Sequence, residues 1–239
     1  MTAGVVARPG RVLLSMRWLD LLFAHWPIDV GELRARIPPP LQLDTFGGTA
    51  WLGVVPFRMT HVRPFGLPLP GEAFAFAEVN VRTYVSAPDG TRGIWFLSLD
   101  GAHRPSATAA RLGFGVPYHH ARVMASDDGE WLTERCRCMH SRPAELAIRY
   151  RPVGPVAPAA AGSLEAFLTD RLSLFAVQRG RVTETRVEHA PWPLQDAEAE
   201  IERNTMTAPF GITLPSTAPH LRFARRLDTV AHRPRTVAR

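Results

Sequence analysis

The chain has 239 residues, of which 46% are hydrophobic, enough to bury a substantial core in one strand-rich domain, and its 22 prolines and 18 glycines suit short elements joined by turns. All 28 basic residues are arginine: there is no side-chain amine to form a Schiff base, to anchor pyridoxal phosphate or to act as a P-loop lysine. The net charge of +6 is scattered rather than gathered into a helix-turn-helix, zinc-finger or RNP pattern, so no nucleic-acid partner is expected.

Residues 1–14 read as a flexible leader, 15–223 as a single barrel domain and 224–239 as a basic, frayed tail. No signal-peptide pattern and no 18-residue apolar run is present, which leaves a cytoplasmic location without membrane association as the expectation. A strand starts near Leu21. Asp29 with Glu32 has capping-box spacing, so a short helix should run to Arg36 and stop before Pro38-Pro39-Pro40. Leu41 to Thr45 is a short strand and Thr49 to Thr60 a long one, with Pro56 marking an edge or bulge. Arg63 to Gly71 is a Pro/Gly-rich loop placed to overhang a pocket.

The informative stretch runs from Ala73 to Asp100. From Glu78 the chain alternates, with Glu78, Asn80, Arg82 and Tyr84 on one face and Val79, Val81, Thr83 and Val85 on the other. Pro88-Asp89-Gly90 then supplies turn chemistry, and Gly93 to Asp100 completes a β-hairpin. A row holding a carboxylate, an amide, a guanidinium and a phenol can converge on a ligand. It reads equally well as a solvated face with a weak Glu78–Arg82 ion pair of about 0–1 kcal/mol.

Further along, Ser106 to Leu112 is a short helix, and Gly113 to Tyr118 turns into a strand near His120 to Ala125. Trp131 to Met139 and Leu146 to Arg151 are strands. Cys136 and Cys138 form a C-x-C with His140 nearby; no fourth ligand completes a zinc set, so free, partly buried thiols and no metal are expected. Ser163 caps an amphipathic helix over Leu164 to Leu174. Arg181 to Glu188 is a strand, and Gln195 to Asn204, rich in Ala and Glu, is read as a helix. Eight to ten short strands with two or three peripheral helices make an α+β, mainly β chain, in a curved barrel or double sheet.

The segments LLFAHWPID, PLQLDTFGGTAWLGVVPFRM, FAEVNVRTYV with GIWFLSLD, GVPYHHA and HAPWPLQ, in that order, resemble the uncharacterised YqjF-like family over about Arg17 to Leu221. That family is similar in fold to acetoacetate decarboxylase, a curved β-barrel around a central pocket. The resemblance implies a pocket faced by Glu78 and Arg82. It does not carry over the decarboxylase's lysines, because this chain has none. Glu78 and Arg82 are thus the catalytic candidates, with Asn80, Tyr84, Tyr118, His119 and Trp192 as ligand-binding candidates. The expected function is binding, and turnover, of a small oxo- or hydroxy-acid by Glu/Arg acid–base chemistry without a Schiff base or cofactor. The alternative is a non-catalytic ligand-binding or structural protein on the same fold. Self-association is expected of such strand-rich barrels with exposed aromatic edges.

Overall fold

The structure, a computed structural model, describes residues 11–67, 75–139 and 143–237. His140, the end of the loop expected over Arg63 to Gly71, and the first ten residues of the expected leader lie outside these. The elements, in chain order, are β1 (Val12–Ile28), α1 (Val30–Arg34), β2 (Gln42–Leu43), β3 (Ala50–Pro64), β4 (Phe76–Ser86), β5 (Arg92–Gly101), α2 (Arg104–Phe114), β6 (Tyr118–Asp127), β7 (Leu132–Cys138), β8 (Glu145–Ala157), α3 (Leu164–Thr169), β9 (Ser173–Gln178), β10 (Arg181–His189), β11 (Leu194–Asn204), β12 (His220–His232) and β13 (Arg235–Thr236). No helix among the described residues is long and apolar enough to cross a membrane.

The strands form one sheet in the order β13-β10-β9-β5-β6-β7-β8-β11-β12-β1-β3-β4-β2, and two extra pairings, β5 with β4 and β10 with β12, close it. Two rings result, sharing the wall β12-β1-β3-β4-β5. The first is completed by β6, β7, β8 and β11, the second by β9 and β10. Period-two alternation then sends each shared strand's side chains into both rings. Leu22, Ala24 and Trp26 of β1, Leu52 and Val54 of β3 and Val79 and Val81 of β4 enter the core of the first ring, with Cys136, Cys138, Leu146 and Tyr150. Leu21 and Phe23, then Val55, Phe57 and Met59, enter the core of the second, with Trp192, Ala224 and Ala231. This is why β4 is buried along both faces from Phe76 to Val85, and why the polar row from Glu78 is not a solvated face. The two cysteines are free and buried.

Local signals set several ends as expected. Asp29 accepts hydrogen bonds from the backbone N–H groups of Gly31 at 2.7 Å and Glu32 at 3.3 Å to start α1. Ser163 caps α3 by accepting from Ala166 N at 3.2 Å. Pro56 lies in a central strand rather than on an edge. It falls where the β1–β3 register shifts, residues 20–23 of one opposing 55–57 of the other, so its missing N–H breaks no ladder bond. Asp20 takes φ +56° within that bulge.

Five expectations are corrected. Gln195 to Asn204 is a strand, not a helix: the helix propensity of Ala and Glu yields to a strict alternation in which Asp196, Glu198, Glu200 and Glu202 face solvent and pair with Arg222, Arg151, Arg149 and Arg135. The supposed tail from Ala224 is most of β12, and its arginines face outward while Phe223, Ala224, Leu227 and Ala231 are buried. β1 already begins at Val12, inside the expected leader. The helix after Ser163 stops at Thr169, because Ser173 opens β9. Strands among the described residues also number thirteen rather than eight to ten, with β1 reaching 17 residues.

β12 closes both rings, so a chain ended at Ala224 should not fold. It loses the pairing of Met16 with Thr229 and of Val187 with Ala231. A chain ended at Arg233 keeps those pairs and should melt within a few degrees of the full protein. Far-ultraviolet circular dichroism and thermal melts of the two truncations check this; a folded chain ended at Ala224 would contradict the ring closure.

Candidate functional site

The second ring encloses a hollow of about 130 Å³. A cavity of about 150 Å³ holds benzene, so this one takes roughly six heavy atoms. Of the residues expected at a site, Glu78, Asn80, Arg82, Tyr118 and Trp192 line it; Tyr84 and His119 do not. Tyr84 stands behind Arg82, fully buried, donating from its hydroxyl to Leu168 O at 2.8 Å and lying 2.6 Å from His25 Nε2. With its one proton given to Leu168, the phenol oxygen accepts from His25, which fixes the Nε2–H tautomer. Burial, then the Arg82 charge, hold His25 well below its usual range and therefore neutral. His119 alternates away from Tyr118 on β6, so the phenol beside it takes the inward position.

At one end of the hollow lies a cationic pair. Arg82 is buried and has no carboxylate in ion-pair contact among the described residues. Its contacts are a 3.5 Å hydrogen bond to Leu168 O and the rings of Phe23 and Tyr84, at 5.3 and 5.9 Å from the guanidinium carbon, and its Nε has no acceptor. Beside it is Arg171, which sequence reasoning passed over. Arg171 donates from Nε to Phe167 O at 2.6 Å and from one terminal nitrogen to Asp44 at 2.7 Å; its other terminal nitrogen is buried without a partner. Burial pushes Asp44 up, but hydrogen bonds from Arg92 and Arg171 outweigh it and hold the carboxyl below its ordinary range. The signal for Arg171 in the sequence is only that it directly follows a capped amphipathic helix, too common a pattern to single it out.

At the other end Glu78, 1% exposed, accepts a hydrogen bond from the Tyr118 hydroxyl. Burial pushes its carboxyl up from an ordinary 4.5 to about 8; the hydrogen bonds from Tyr118 and Asn80 only partly offset this, and the nearby Asp100 adds to it. Glu78 is therefore protonated at neutral pH. The contact depends on Gly101, paired with Glu78 across the hairpin: a Cβ there would lie 2.7 Å from the Tyr118 oxygen. The remaining wall is mostly apolar, with Trp192 stacked on Trp18 at 5.8 Å and edge-on to Phe23 at 4.9 Å, its Nε1 donating to Thr169 O at 2.9 Å; Ser173 and His189 are among its polar members. The arrangement can hold a small anion at the arginines and exchange a proton with it at Glu78.

The model of a family described as an uncharacterised conserved protein, DUF2071, matches residues 15–228. The uncharacterised protein YqjF of Bacillus subtilis is 39% identical over 218 residues, covering 91% of this chain and 90% of its own. Among solved structures, acetoacetate decarboxylase from Legionella pneumophila superposes with a TM-score of 0.66 at 12% identity, covering 100% of this chain and 92% of that one. The enduracididine biosynthesis enzyme MppR, complexed with pyruvate, superposes with a TM-score of 0.65 at 11% identity, covering 98% and 94%. At such identities these two structures establish the fold, an acetoacetate decarboxylase-like one.

The raised Glu78 has a measurable consequence. The unfolded carboxyl ionises near 4.5 and the folded one near 8, so the stabilisation from keeping it neutral is fully present below pH 4.5 and is lost as pH rises through 8. Glu78→Gln stays neutral and still accepts from Tyr118. Its melting temperature should equal that of the native protein at pH 4 and exceed it at pH 9, by an amount on the order of a few kcal/mol in stability. Parallel melts across that range check this; identical pH profiles would mean that Glu78 is ionised in the fold.

Proposed function

The chain belongs to the DUF2071 family, and on its acetoacetate decarboxylase-like fold we propose that the hollow binds a small oxo- or hydroxy-acid and moves a proton on it. The observation that carries this reading is Arg82. A guanidinium taken out of water without a carboxylate is costly, and the protein keeps one facing a cavity with its Nε unpaired. A bound carboxylate supplies the missing charge and can accept two parallel N–H bonds. Arg171, with its own unpartnered nitrogen, shares the load. MppR, of the same fold, has a structure complexed with pyruvate; a six-atom oxo-acid also suits the volume here.

Chemistry then falls to Glu78. A carboxyl that titrates near 8 exchanges a proton at the pH where both of its forms are present, the condition for general acid–base work. As acid it protonates an oxygen of the ligand that is gaining negative charge; as base it takes a proton from the carbon next to a carbonyl. The hydroxyl of Tyr118 holds it in place in either form. No covalent imine on a side chain enters, since the chain has no lysine.

Two measurements test this. Pyruvate at about a hundred times its Kd should raise the melting temperature by roughly 5–10 °C. Arg82→Met should abolish that rise, yet melt at or above the native protein without ligand, since it removes a buried cation that has no counter-charge. A variant several degrees less stable would make Arg82 structural instead. Separately, the native protein should speed exchange of pyruvate's methyl protons with deuterium from solvent, followed by nuclear magnetic resonance, and Glu78→Gln should lower that rate about 10²–10⁴-fold while still binding. Binding without any exchange in the native protein would favour a non-catalytic ligand-binding role.

A further inference from the structure

We infer that the acid is amphipathic, with an apolar chain that leaves the hollow of the second ring and lies in a neighbouring groove beneath α2. This names the substrate class of the same site and rests on the acid-binding reading above. The groove lies between α2 and the far end of β3 and measures about 320 Å³, more than twice the hollow's 130 Å³. The two share walls: Leu14, Met59, Ala110, Phe114 and Tyr118 line both. Leu14 and Met59 are unbranched at Cβ, and Met is the most adaptable of apolar side chains, so this partition is one that a chain can pass.

The groove's chemistry restricts what fills it. Among the described residues no charged one lines it, and the two polar side chains that do are already engaged. The Ser106 hydroxyl is 2.7 Å from His103 Nδ1, and the Tyr118 hydroxyl donates to Glu78. Nothing there is left to bind a polar group, whereas Val62, Phe76 and Phe114 offer apolar surface that it is costly to leave wet. The hollow itself has the opposite character at its arginine end. A molecule with its carboxylate at Arg82 and Arg171 and an unbranched hydrocarbon chain running past Tyr118 matches both in one piece. The groove also reaches the surface, since Pro105, Ala109 and Gly113 on the outer part of α2 are exposed, so the chain has a way in.

The test is a chain-length series of stable 2-oxo acids, pyruvate, 2-oxohexanoate and 2-oxooctanoate, titrated calorimetrically into the native protein and into Ala109→Trp. Ala109 lines the groove but not the hollow and is exposed, so the larger ring fills the groove without entering the core. Affinity should rise about fourfold for each methylene buried, and Ala109→Trp should return 2-oxooctanoate to the affinity of pyruvate while leaving pyruvate itself unchanged. Pyruvate binding with no gain along the series overturns the tail and leaves the acid-binding reading standing. A gain that persists undiminished in Ala109→Trp places the chain elsewhere and overturns it as well. So does a change in oligomeric state in Ala109→Trp with the gain intact, which would give the groove to a second copy of the chain. Absence of binding by all three acids overturns the acid-binding reading itself, and the tail with it.

Discussion

The polar end of the site is held by three consecutive backbone carbonyls at the end of α3. A helix leaves its last carbonyls without intrahelical partners, and the C-terminus carries a partial negative charge. Here Phe167 O takes Arg171, Leu168 O takes Tyr84 and, at longer range, Arg82, and Thr169 O takes the Trp192 indole. The donors come from three parts of the chain (β4, the turn after α3 and the segment before β11), and each lines or backs the hollow. Hydrogen bonds to charged groups are worth about 1.5–3 kcal/mol apiece, enough to hold two guanidinium groups in fixed poses that flexible arginines would otherwise leave. Because the acceptors are backbone atoms of a short helix that must end at Thr169 for β9 to begin, the site and the sheet are set by the same event.

The double ring explains how an acid, an amide and a guanidinium come to lie inside a protein at all. A strand in an ordinary sandwich has one face for the core and one for water. Among the shared strands β4 is buried along both faces from Phe76 to Val85, because each of its sides looks into a separate ring. A polar row on β4 therefore has to be satisfied internally or left for a ligand. Glu78 is satisfied by losing its charge and by bonding to Tyr118. Arg82 has no such escape, since a guanidinium does not deprotonate in this range. The difference between the two residues, four apart on one strand, is the chemistry of the site.

The alternation over Glu78 to Val85, the turn at Pro88 to Gly90 and the caps at Asp29 and Ser163 are local features, and they were legible as such. Glu78, Asn80, Arg82, Tyr118 and Trp192, the candidates from the sequence that line one hollow, stand out there as well, Glu78 and Arg82 through the resemblance of the surrounding segments to a known family. What escaped depends on contacts distant in the chain. β11 was taken for a helix because composition outweighed period; its acids are at every second position only because Arg149, Arg151 and Arg222 wait on neighbouring strands. β12 reads as a tail when its arginines are seen as one basic run, although its apolar residues turn inward between them. Tyr84 follows the same face as Arg82 but meets His25, admitted by the missing side chain of Gly53, where a Cβ would come within 2.8 Å of the imidazole. Arg171 carries no mark in the sequence because its role is conferred by Asp44, well over a hundred residues away.

The absence of lysine gives this site its chemical direction. On a fold of this kind an amine in the hollow would offer a nucleophile, and a buried amine gives up its proton with little resistance. Arginine offers only charge and geometry, so the covalent route is closed and the remaining means of stabilising a carbanion next to a carbonyl are hydrogen bonds and a nearby proton. A carboxyl held neutral by burial, in contact with a phenol and in the same hollow as two fixed guanidinium groups, provides both. On the proposed acid-binding reading, that combination favours reactions in which a proton moves and the carbon skeleton is left whole. It does not help to expel carbon dioxide, because a carboxylate clamped by arginine is stabilised in the ground state more than in a transition state that is losing its charge.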